Sequence, residues 1–363
     1  MKIFYLIVSV LLISITATVH SANFCVTTTT ELQQALDVAG NNSETNTIKV
    51  AQGSYAAPTG GFKYLTLTSP ALKISGGWSL SAGDPCAVQT SRSPFDTVLD
   101  GQSIDRVLLI ASSISNNMQI SNLAFINGFV TGVNQDGGGV KISTITNSVE
   151  IVFENNAFIN NHAAIGSALW SEGSSKLVIR NSLFAANHSE QSSTVNLSQI
   201  NGWGVYFTNN TVIENTTDGN TTFPVSGLRI YTIEPSNIFV ANNVLWNNQS
   251  SDLWLGGTGI KYLRNNDIGT NSGFPADEDS DNISLAPIFV PDSITYVPAL
   301  GSPLTNNGLL APQPIPIPTE FENDWALGDK DILGNPRVQD TGVDIGAFES
   351  SPPPDLIFVD GFE

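Results

Sequence analysis

Residues 236–248 read SNIFVANNVLWNN, and the same pattern occurs six times along the middle of the chain. We align the copies on the first asparagine of each, which we call the anchor. The anchors are Asn122, Asn155, Asn181, Asn209, Asn242 and Asn265, separated by 33, 26, 28, 33 and 23 residues. Periods in this range are typical of solenoids, in which each repeat packs against its neighbours. The sequence therefore predicts a repeat structure.

The residues around each anchor also keep their character. Apolar side chains stand two residues before it: Ile120, Phe153, Ile179, Phe207, Val240 and Leu263. Others stand three residues after it: Phe125, Phe158, Phe184, Val212, Leu245 and Ile268. Six residues after the anchor there is a second asparagine column, Asn161, Asn187, Asn215, Asn248 and Asn271, with Gly128 in the first copy. Because Asn and Gly tolerate the left-handed backbone conformation, both columns predict corners.

Between the corners the segments are short and rich in β-branched and aromatic residues, which indicates strands. A third strand is predicted in five repeats, at residues 139–142, 167–170, 194–197, 227–230 and 252–255. Three strands and three corners in each repeat predict an all-β fold, the right-handed parallel β-helix. Stacked amides at the corners are expected to bond along the coil axis as Asn ladders, so we assign both asparagine columns a structural role.

The first 21 residues have the features of a secretory signal peptide. Lys2 precedes an apolar run over residues 3–13, and small residues follow near residue 21. The run is too short to cross a membrane, and no other stretch approaches the required length. The sequence thus predicts an exported protein without a transmembrane segment, extracellular or on the outer cell surface, with the periplasm as the alternative. In such a compartment Cys25 and Cys86 are expected to form a disulfide.

A helix and four boundaries complete the predicted organisation. Thr28 and Glu31 form a capping-box pattern, and Leu32, Ala35, Leu36 and Val38 follow on one face. We expect this short helix to cover the open end of the first coil. The predicted parts are the signal peptide (1–21), the N-terminal cap and first coils (22–98), the β-helix (99–284), an irregular C-terminal capping segment (285–350), and a Pro-rich linker with a short tail (351–363).

The charge balance limits the classes of partner. The chain has 14 Lys and Arg residues against 33 Asp and Glu residues, for a formal net charge of −19. Such an acidic surface disfavours nucleic acid and anionic lipid. A polysaccharide or a cell-envelope glycan remains as the expected partner, and the protein is expected to be a monomer.

Two groups of residues have the composition of metal sites. Asp277, Asp279 and Asp281 alternate as at the start of a calcium loop, but Asn282 replaces its Gly and Ile288 its bidentate Glu. A solvated loop is the alternative, and we expect no cofactor other than calcium. His162 and His188 occupy equivalent positions in neighbouring repeats. No third ligand is evident for them, and polar stacking also explains the pair.

The end of the chain resembles a known family. Residues 331–337, DILGNPR, and 344–349, DIGAFE, follow β-helix repeats. They resemble the closing segment of bacterial secreted proteins of the choice-of-anchor Q type, within the pectin-lyase-like superfamily. The resemblance runs from residues 76–78 onward and implies a signal peptide, a β-helix and a variable C-terminal element, here residues 357–363. The chain departs from the family at Ala286 and Asn306, where the family often has Asp.

That superfamily includes polysaccharide lyases and hydrolases, so catalytic groups must be sought. Lys141 and Arg229 are three coils apart, roughly 14 Å at about 4.8 Å per coil, too far to share a reacting centre. Glu172 and Asp252 are equally far apart. Glu190 and Asp218 each follow their anchor by nine residues and are the remaining candidate carboxylate pair for a glycosidase. The alternative is that both are exposed loop charges.

Strand alternation predicts two outward-facing surfaces. The candidate ligand-binding residues are Lys141, Leu169, Asn196, Arg229, Tyr231 and Trp254, with Ser143, Ser171 and Ser198 beside them. Rings, cations and hydroxyls in one row suit a polysaccharide. The alternative is an ordinary half-exposed sheet face whose Trp254 is covered by a loop. An apolar stripe, Val152, Val178, Tyr206, Phe239 and Tyr262, is expected to be covered by residues 285–349, with the Pro-rich spacer 311–318 bridging the distance.

The leading interpretation is an exported, non-catalytic β-helix that presents an elongated surface for carbohydrate or cell-envelope contact. The alternatives are a polysaccharide lyase or glycoside hydrolase and a passive structural stalk.

Overall fold

The computed structural model describes residues 21–68, 71–113, 117–132, 135–144, 150–200, 203–219, 225–291, 295–310, 329–339 and 342–350. The predicted signal peptide, apart from Ser21, lies outside the described residues. So do the Pro-rich spacer 311–318 and the C-terminal tail.

The chain folds as a right-handed parallel β-helix, as predicted. One face is a ten-stranded sheet: Ser21–Val26, Thr45–Ala51, Ala71–Trp78, Asn117–Ser121, Glu150–Glu154, Lys176–Arg180, Gly204–Thr208, Ile238–Ala241, Lys261–Arg264 and Glu278–Ser280. An eight-stranded sheet contains Gly53–Ala56, Thr97–Asp100, Ala124–Ile126, Ala157–Ile159, Leu183–Ala185, Thr211–Ile213, Val244–Trp246 and Asp267–Ile268. Every ladder within these sheets is parallel, each strand pairing with its equivalent in the next coil.

Two further sheets close the coil. A seven-stranded sheet contains Phe62–Thr66, Leu108–Ser112, Val140–Thr144, Leu169–Gly173, Val195–Ile200, Leu228–Ile233 and Leu253–Gly257. A three-stranded sheet, His162–Ile165, His188–Ser192 and Thr216–Thr217, lies in the chain between the eight- and seven-stranded sheets. Pro94–Asp96 forms a short 3₁₀ helix.

The core is built from equivalent residues stacked coil upon coil. The apolar column two residues before the anchors is buried throughout. Facing it, the rings of Phe125, Phe158 and Phe184 stack with centroid separations of 5.0 and 4.7 Å. Since successive strand residues point to opposite faces, these inward columns also fix which residues face outward.

At the first corner, one residue turns the chain and the next residue carries the ladder side chain. All six anchors have left-handed backbones, with φ between 49° and 58°. The expected ladder of side chains, however, is formed mainly by the residue after each anchor. Asn210 Nδ2 donates to Asn243 Oδ1 at 3.1 Å, and Asn243 Nδ2 donates to Asn266 Oδ1 at 2.9 Å. The anchor supplies the turn, and its neighbour points inward and links the coils.

The second corner shows the same division between a turning residue and a ladder residue. Here the predicted asparagine column forms the ladder, and the residue before it turns the chain. Asn161 Nδ2 donates to Asn187 Oδ1, Asn187 to Asn215 and Asn215 to Asn248, at 3.0, 3.0 and 2.8 Å. The left-handed residues are instead those just before the ladder: Asn127, Asn160, Ala186, Glu214 and Asn247. The ladder ends on the Asp252 carboxylate, which accepts from Asn248 at 2.7 Å. Placing Asn271 in this ladder was wrong.

The N-terminal helix α1 spans Thr29–Asn41. Thr28 is its N-cap, and the reciprocal capping box with Glu31 is present. Its buried face contains Leu32, Ala35, Leu36 and Ala39, whereas Val38 is 51% exposed. Helical periodicity returns to the buried face at Ala39, so including Val38 was wrong. Near this helix Cys25 and Cys86 form the expected disulfide.

The C-terminal segment lies along the outside of the β-helix. Ile332, Ala347 and Phe348 pack against Ala124, Ala157 and Leu183 of the eight-stranded sheet. The segment is held together by the fully buried Arg337, whose Nη1 lies 3.0 Å from Glu349 Oε1. Asp331 and Asp344 are also buried there. Residues of the family-like motifs thus form an ionic cluster that ties the segment to itself.

Candidate functional site

The outer face of the seven-stranded sheet carries one continuous row of polar and aromatic side chains. Parallel pairing aligns Lys141 with Trp170, Trp170 with Asn196, Asn196 with Arg229, and Arg229 with Trp254. Their neighbours on both sides, such as Val140 and Leu228, are fully buried. The alternation therefore turns the row outward. We call these five residues the aromatic row.

The predicted row contained one error of register. Leu169 aligns with Val140 and Val195 and is completely buried, and Trp170 takes the outward position. Ser171 likewise aligns with Ile142 and points inward, where it is 1% exposed. A slip of one residue reverses the direction of every side chain in a strand, and burial of Leu169 settles the register. Glu172, rather than Ser171, faces outward beside the row.

Each of the two cations in the aromatic row lies over the ring of the next coil's tryptophan. Lys141 Nζ lies 4.5 Å from the centroid of the Trp170 ring. The Arg229 guanidinium lies 4.7 Å from Trp254 and 6.0 Å from Tyr231, and its Nη1 donates to Asn196 Oδ1 at 2.9 Å. Burial lowers the pKa of Arg229 from its ordinary value. Each contact holds a ring or cation in a fixed position, which reduces the conformational entropy lost when a ligand binds.

Acidic groups flank one end of the row. Asp136 Oδ2 lies 3.7 Å from Lys141 Nζ. Arg106 holds the preceding turn through the carbonyl oxygens of Gly137 and Asp136, at 2.8 and 2.9 Å. Burial raises the pKa of the Asp136 carboxyl, while Lys141 opposes that shift. Asp136 stands outside the repeated strands, and no spacing in the sequence indicates that it reaches Lys141.

The far end of the row is partly covered. The Trp254 ring lies 6.2 Å from the ring of Phe274, centroid to centroid. The outer edge of the Trp254 ring, at Cη2, Cζ3 and Cζ2, occupies the space that a Cβ at position 256 would need, so glycine at this position lets the indole approach the backbone. Trp254 is half-buried as a result.

A groove of about 680 Å³ continues this face toward the N-terminal helix. Leu65, Ala111 and Ser143 line it, and they occupy the column next to the aromatic row. Asp37 and Asn41 at the end of helix α1 form its opposite wall. The seven strands therefore offer an elongated surface that runs parallel to the coil axis.

The two histidines and the two candidate carboxylates form a separate cluster on the three-stranded sheet. His162 and His188 pair in register, and their rings are 4.9 Å apart. Phe129 stacks on His162 at 4.8 Å. His162 Nε2 lies 3.2 Å from Glu190 Oε1, and His188 Nε2 lies 3.3 Å from Asp218 Oδ1. Glu190 and Asp218 are thus each paired with an imidazole.

The predicted calcium residues belong to the last coil. Glu278–Ser280 is a strand of the ten-stranded sheet, and Asp281 is a left-handed corner with φ of 56°. Asn282 continues the first ladder, accepting from Asn266 at 2.8 Å. Asp277 accepts from the Lys261 N–H, and Asp279 accepts from Asn282. The three carboxylates do not converge, because a β-coil rather than a metal-binding loop positions them.

Over the part of the chain that the structure describes, no cluster of three or more His, Cys, Asp or Glu side chains is arranged to hold a metal ion. Among the helices described, none combines the length and apolar character needed to cross a membrane.

No protein-family model matches the chain, and no curated protein matches it. Among solved structures, the chain matches the crystal structure of the pectin methylesterase from Aspergillus niger in deglycosylated form. The identity is 13% and the TM-score is 0.28, and the match covers 70% of this chain and 85% of that chain. A TM-score this low does not allow the site of that enzyme to be compared with this protein. The fold of this protein rests on the strand pairing described above.

Proposed function

We propose that this protein is an exported, non-catalytic β-helix that binds a polysaccharide along the outer face of its seven-stranded sheet. We also propose that it is a monomer of the choice-of-anchor Q type. The observation that supports binding is the aromatic row, in which Lys141 pairs with Trp170 and Arg229 pairs with Trp254. Sugar rings offer apolar faces for stacking and hydroxyl groups for hydrogen bonds, and the row supplies partners for both.

The geometry favours a long ligand over a small one. Trp170 and Trp254 are three coils apart in the register, roughly 14 Å. The groove at Leu65 and Ala111 extends the same face further. A polymer lying parallel to the coil axis contacts both tryptophans at once, whereas a monosaccharide contacts one.

The test is retention of purified protein on a panel of neutral and acidic polysaccharides. Trp170→Ala, Arg229→Ala and Trp254→Ala should each weaken retention by about tenfold, the effect of losing roughly 1.4 kcal/mol of binding free energy. Trp203→Ala is the matched control, because Trp203 is 65% exposed and lies outside this sheet. If all three variants retain every ligand that the wild type retains, the proposal is wrong and the stalk alternative gains support.

The same incubations test the catalytic alternative. New reducing ends would indicate hydrolysis, and unsaturated ends would indicate a lyase. Glu190→Gln and Asp218→Asn then show whether the histidine-paired carboxylates are responsible. We propose that no new ends form and that a chelator leaves retention unchanged, because the aromatic row binds without a metal.

A further inference from the structure

The outer face of the ten-stranded sheet changes from polar to apolar along the coil axis. Parallel pairing aligns Lys73 with Gln119, and Gln119 with Val152, the first residue of the apolar stripe. Lys73 points outward, because its neighbour Ile74 is buried in the core. Leu309 of the C-terminal segment packs in the apolar cluster of the later coils. The first coils instead present polar side chains at the equivalent positions.

A loop encloses this polar area. Residues 79–93 follow the third strand of the sheet and fold back against it. Gln89 Nε2 donates to the carbonyl oxygen of Gly76 at 2.9 Å, and Cys86 is bonded to Cys25. A cavity of about 260 Å³ lies between the loop and the sheet. Since the loop is fixed by the disulfide and by hydrogen bonds to the sheet, the cavity is preformed.

The wall of the cavity contains one aromatic ring. Trp78 ends the third strand of the sheet, and its Nε1 donates to Ser75 Oγ at 2.9 Å. Lys49 Nζ lies 4.2 Å from the centroid of the indole ring. These two contacts hold the ring in place, and a fixed aromatic ring is a surface on which a sugar ring can pack.

The charges in the wall leave one cation without a partner. Arg92 Nη1 lies 3.2 Å from Asp329 Oδ1, and Arg180 Nη2 donates to Glu154 Oε2 at 3.2 Å. Each acidic side chain of the cavity therefore has its own cation. Lys73 Nζ forms no ion pair or hydrogen bond with the residues that the structure describes. In a chain with a formal net charge of −19, this cavity has an excess of positive charge.

Neutral hydrogen-bonding groups complete the wall. Asn122 Oδ1 accepts from Asn155 Nδ2 at 3.3 Å, and Asn122 Nδ2 has no acceptor within the described part of the chain. Ser121 lies beside it and also lines the cavity. An amide N–H donor and a hydroxyl group are suitable partners for the hydroxyl groups of a ligand.

The size and charge of the cavity limit the ligand. Pockets for drug-sized molecules usually have volumes of roughly 300–1,000 Å³, so a smaller cavity suits a ligand of about one sugar ring. One cation without a partner favours a singly charged carboxylate over a doubly charged phosphate.

We propose that this cavity binds a single sugar acid, a monosaccharide that carries one carboxylate. Lys73 Nζ pairs with the carboxylate, and Asn122 and Ser121 form hydrogen bonds with the ring hydroxyls. The Trp78 ring packs against the sugar. The cavity lies on the ten-stranded sheet and the aromatic row lies on the seven-stranded sheet, so this site is independent of the proposed polysaccharide surface.

Titration of the full-length protein with D-glucuronate, followed by NMR, tests the ligand class. A ligand of this size is expected to bind with a Kd of about 1 mM. D-glucose, which lacks the carboxylate, should bind at least about tenfold more weakly. Glucose 6-phosphate should bind no more tightly than D-glucuronate. The absence of saturable D-glucuronate binding, equal affinity for D-glucose, or tighter binding of glucose 6-phosphate would each overturn the proposal.

Variants and individual resonances test the location. Lys73→Gln should weaken D-glucuronate binding at least about tenfold and leave the melting temperature unchanged. Lys63→Gln is the matched control, because Lys63 is an exposed lysine of the seven-stranded sheet, and it should bind as the wild type does. Equal binding by Lys73→Gln and the wild type would overturn the proposal.

The indole N–H resonances distinguish the two surfaces. The resonance of Trp78, assigned by its loss in Trp78→Phe, should shift when D-glucuronate is added, and that of Trp254 should not. A shift of the Trp254 resonance alone would place the sugar on the aromatic row and overturn this proposal. The retention of polysaccharides by the aromatic row is measured separately, so the two proposals can fail independently.

Discussion

At each corner of a coil, two adjacent residues have different structural roles. One adopts the left-handed backbone conformation that turns the chain, and the other points its amide inward and joins the coil to its neighbours. Asn160 and Asn161 show the pair clearly, with φ of 55° at the first and a donated bond from Asn161 to Asn187 at the second. Asparagine suits both positions for different reasons, tolerance of the left-handed conformation and possession of a donor and an acceptor on one group.

Replacing the inward asparagine should be costly. Asn161 Oδ1 accepts from the N–H of Gly128, and its Nδ2 donates to the Phe125 carbonyl, so Asn161→Leu removes both bonds and leaves the buried Gly128 N–H without this acceptor. We expect a loss of about 2–5 kcal/mol in the free energy of unfolding, measured by chemical denaturation. Asn160→Gly should change it by less than about 1 kcal/mol. Equal losses at both positions would show that the two roles are not separate.

The outward corner position also offers a stabilising substitution. Ala186 has φ of 54°, a left-handed conformation that asparagine tolerates better than alanine, and equivalent coils have asparagine at Asn127, Asn160 and Asn247. Ala186→Asn should raise the free energy of unfolding by about 0.5–1 kcal/mol. Thermal unfolding measures the change. A lower melting temperature would mean that another contact at this corner outweighs the backbone strain.

At the scale of elements, the C-terminal segment depends on a small ionic cluster. Arg337 is completely buried with Asp331, Asp344 and Glu349, so one cation faces three acidic side chains. Asp331 Oδ1 and Oδ2 accept from the N–H groups of Leu333 and Glu349, at 3.0 and 3.1 Å. Burial raises the pKa of Glu349 to about 8, although the attraction of Arg337 opposes the shift. The cluster therefore holds a proton near neutral pH.

This proton makes the stability depend on pH. The unfolded chain releases it near the ordinary glutamate pKa of about 4.3, whereas the folded protein retains it until about pH 8. The contribution of Glu349 to stability is thus complete below about pH 4 and is lost as pH rises to about 8. Glu349→Gln should flatten the dependence of the unfolding free energy on pH across that window. An unchanged slope would contradict the assignment, and Glu172→Gln, an exposed glutamate, is the control.

At the scale of the whole molecule, the coils are covered at the N-terminal end and along one side. Helix α1 covers the first coil, and the C-terminal segment packs along the eight-stranded sheet. The Cys25–Cys86 disulfide joins the first strand to the loop after the Ala71–Trp78 strand, across 61 residues. Covering the ends matters because an exposed sheet edge recruits further strands.

Removing the disulfide should therefore destabilise the first coils. A closed loop of this length corresponds to about 4 kcal/mol in the chain-entropy model. The double variant Cys25→Ala and Cys86→Ala should lower the unfolding free energy by about that amount, measured by denaturant titration with the wild type under reducing conditions as a comparison. A loss below about 1 kcal/mol would show that strand pairing alone holds the first strand.

The sequence by itself determined the β-helix, the first corner of each coil, the capping helix and the disulfide. The strands and corners recur at fixed offsets from each anchor, and the capping helix depends on residues close in the chain, so local chemistry is sufficient for them. The disulfide joins the two cysteines of the sequence, which are 61 residues apart, so the cysteine count and not local chemistry predicted it. The tertiary structure alone decided that Trp170 and not Leu169 faces outward, because one residue of register is settled by burial against neighbouring coils. It also decided that Asp136 reaches Lys141, that Asp281 is a corner, and that Leu309 binds Asn242. These features involve residues that do not follow the repeat of the sequence. They arise only when segments distant in the chain pack together.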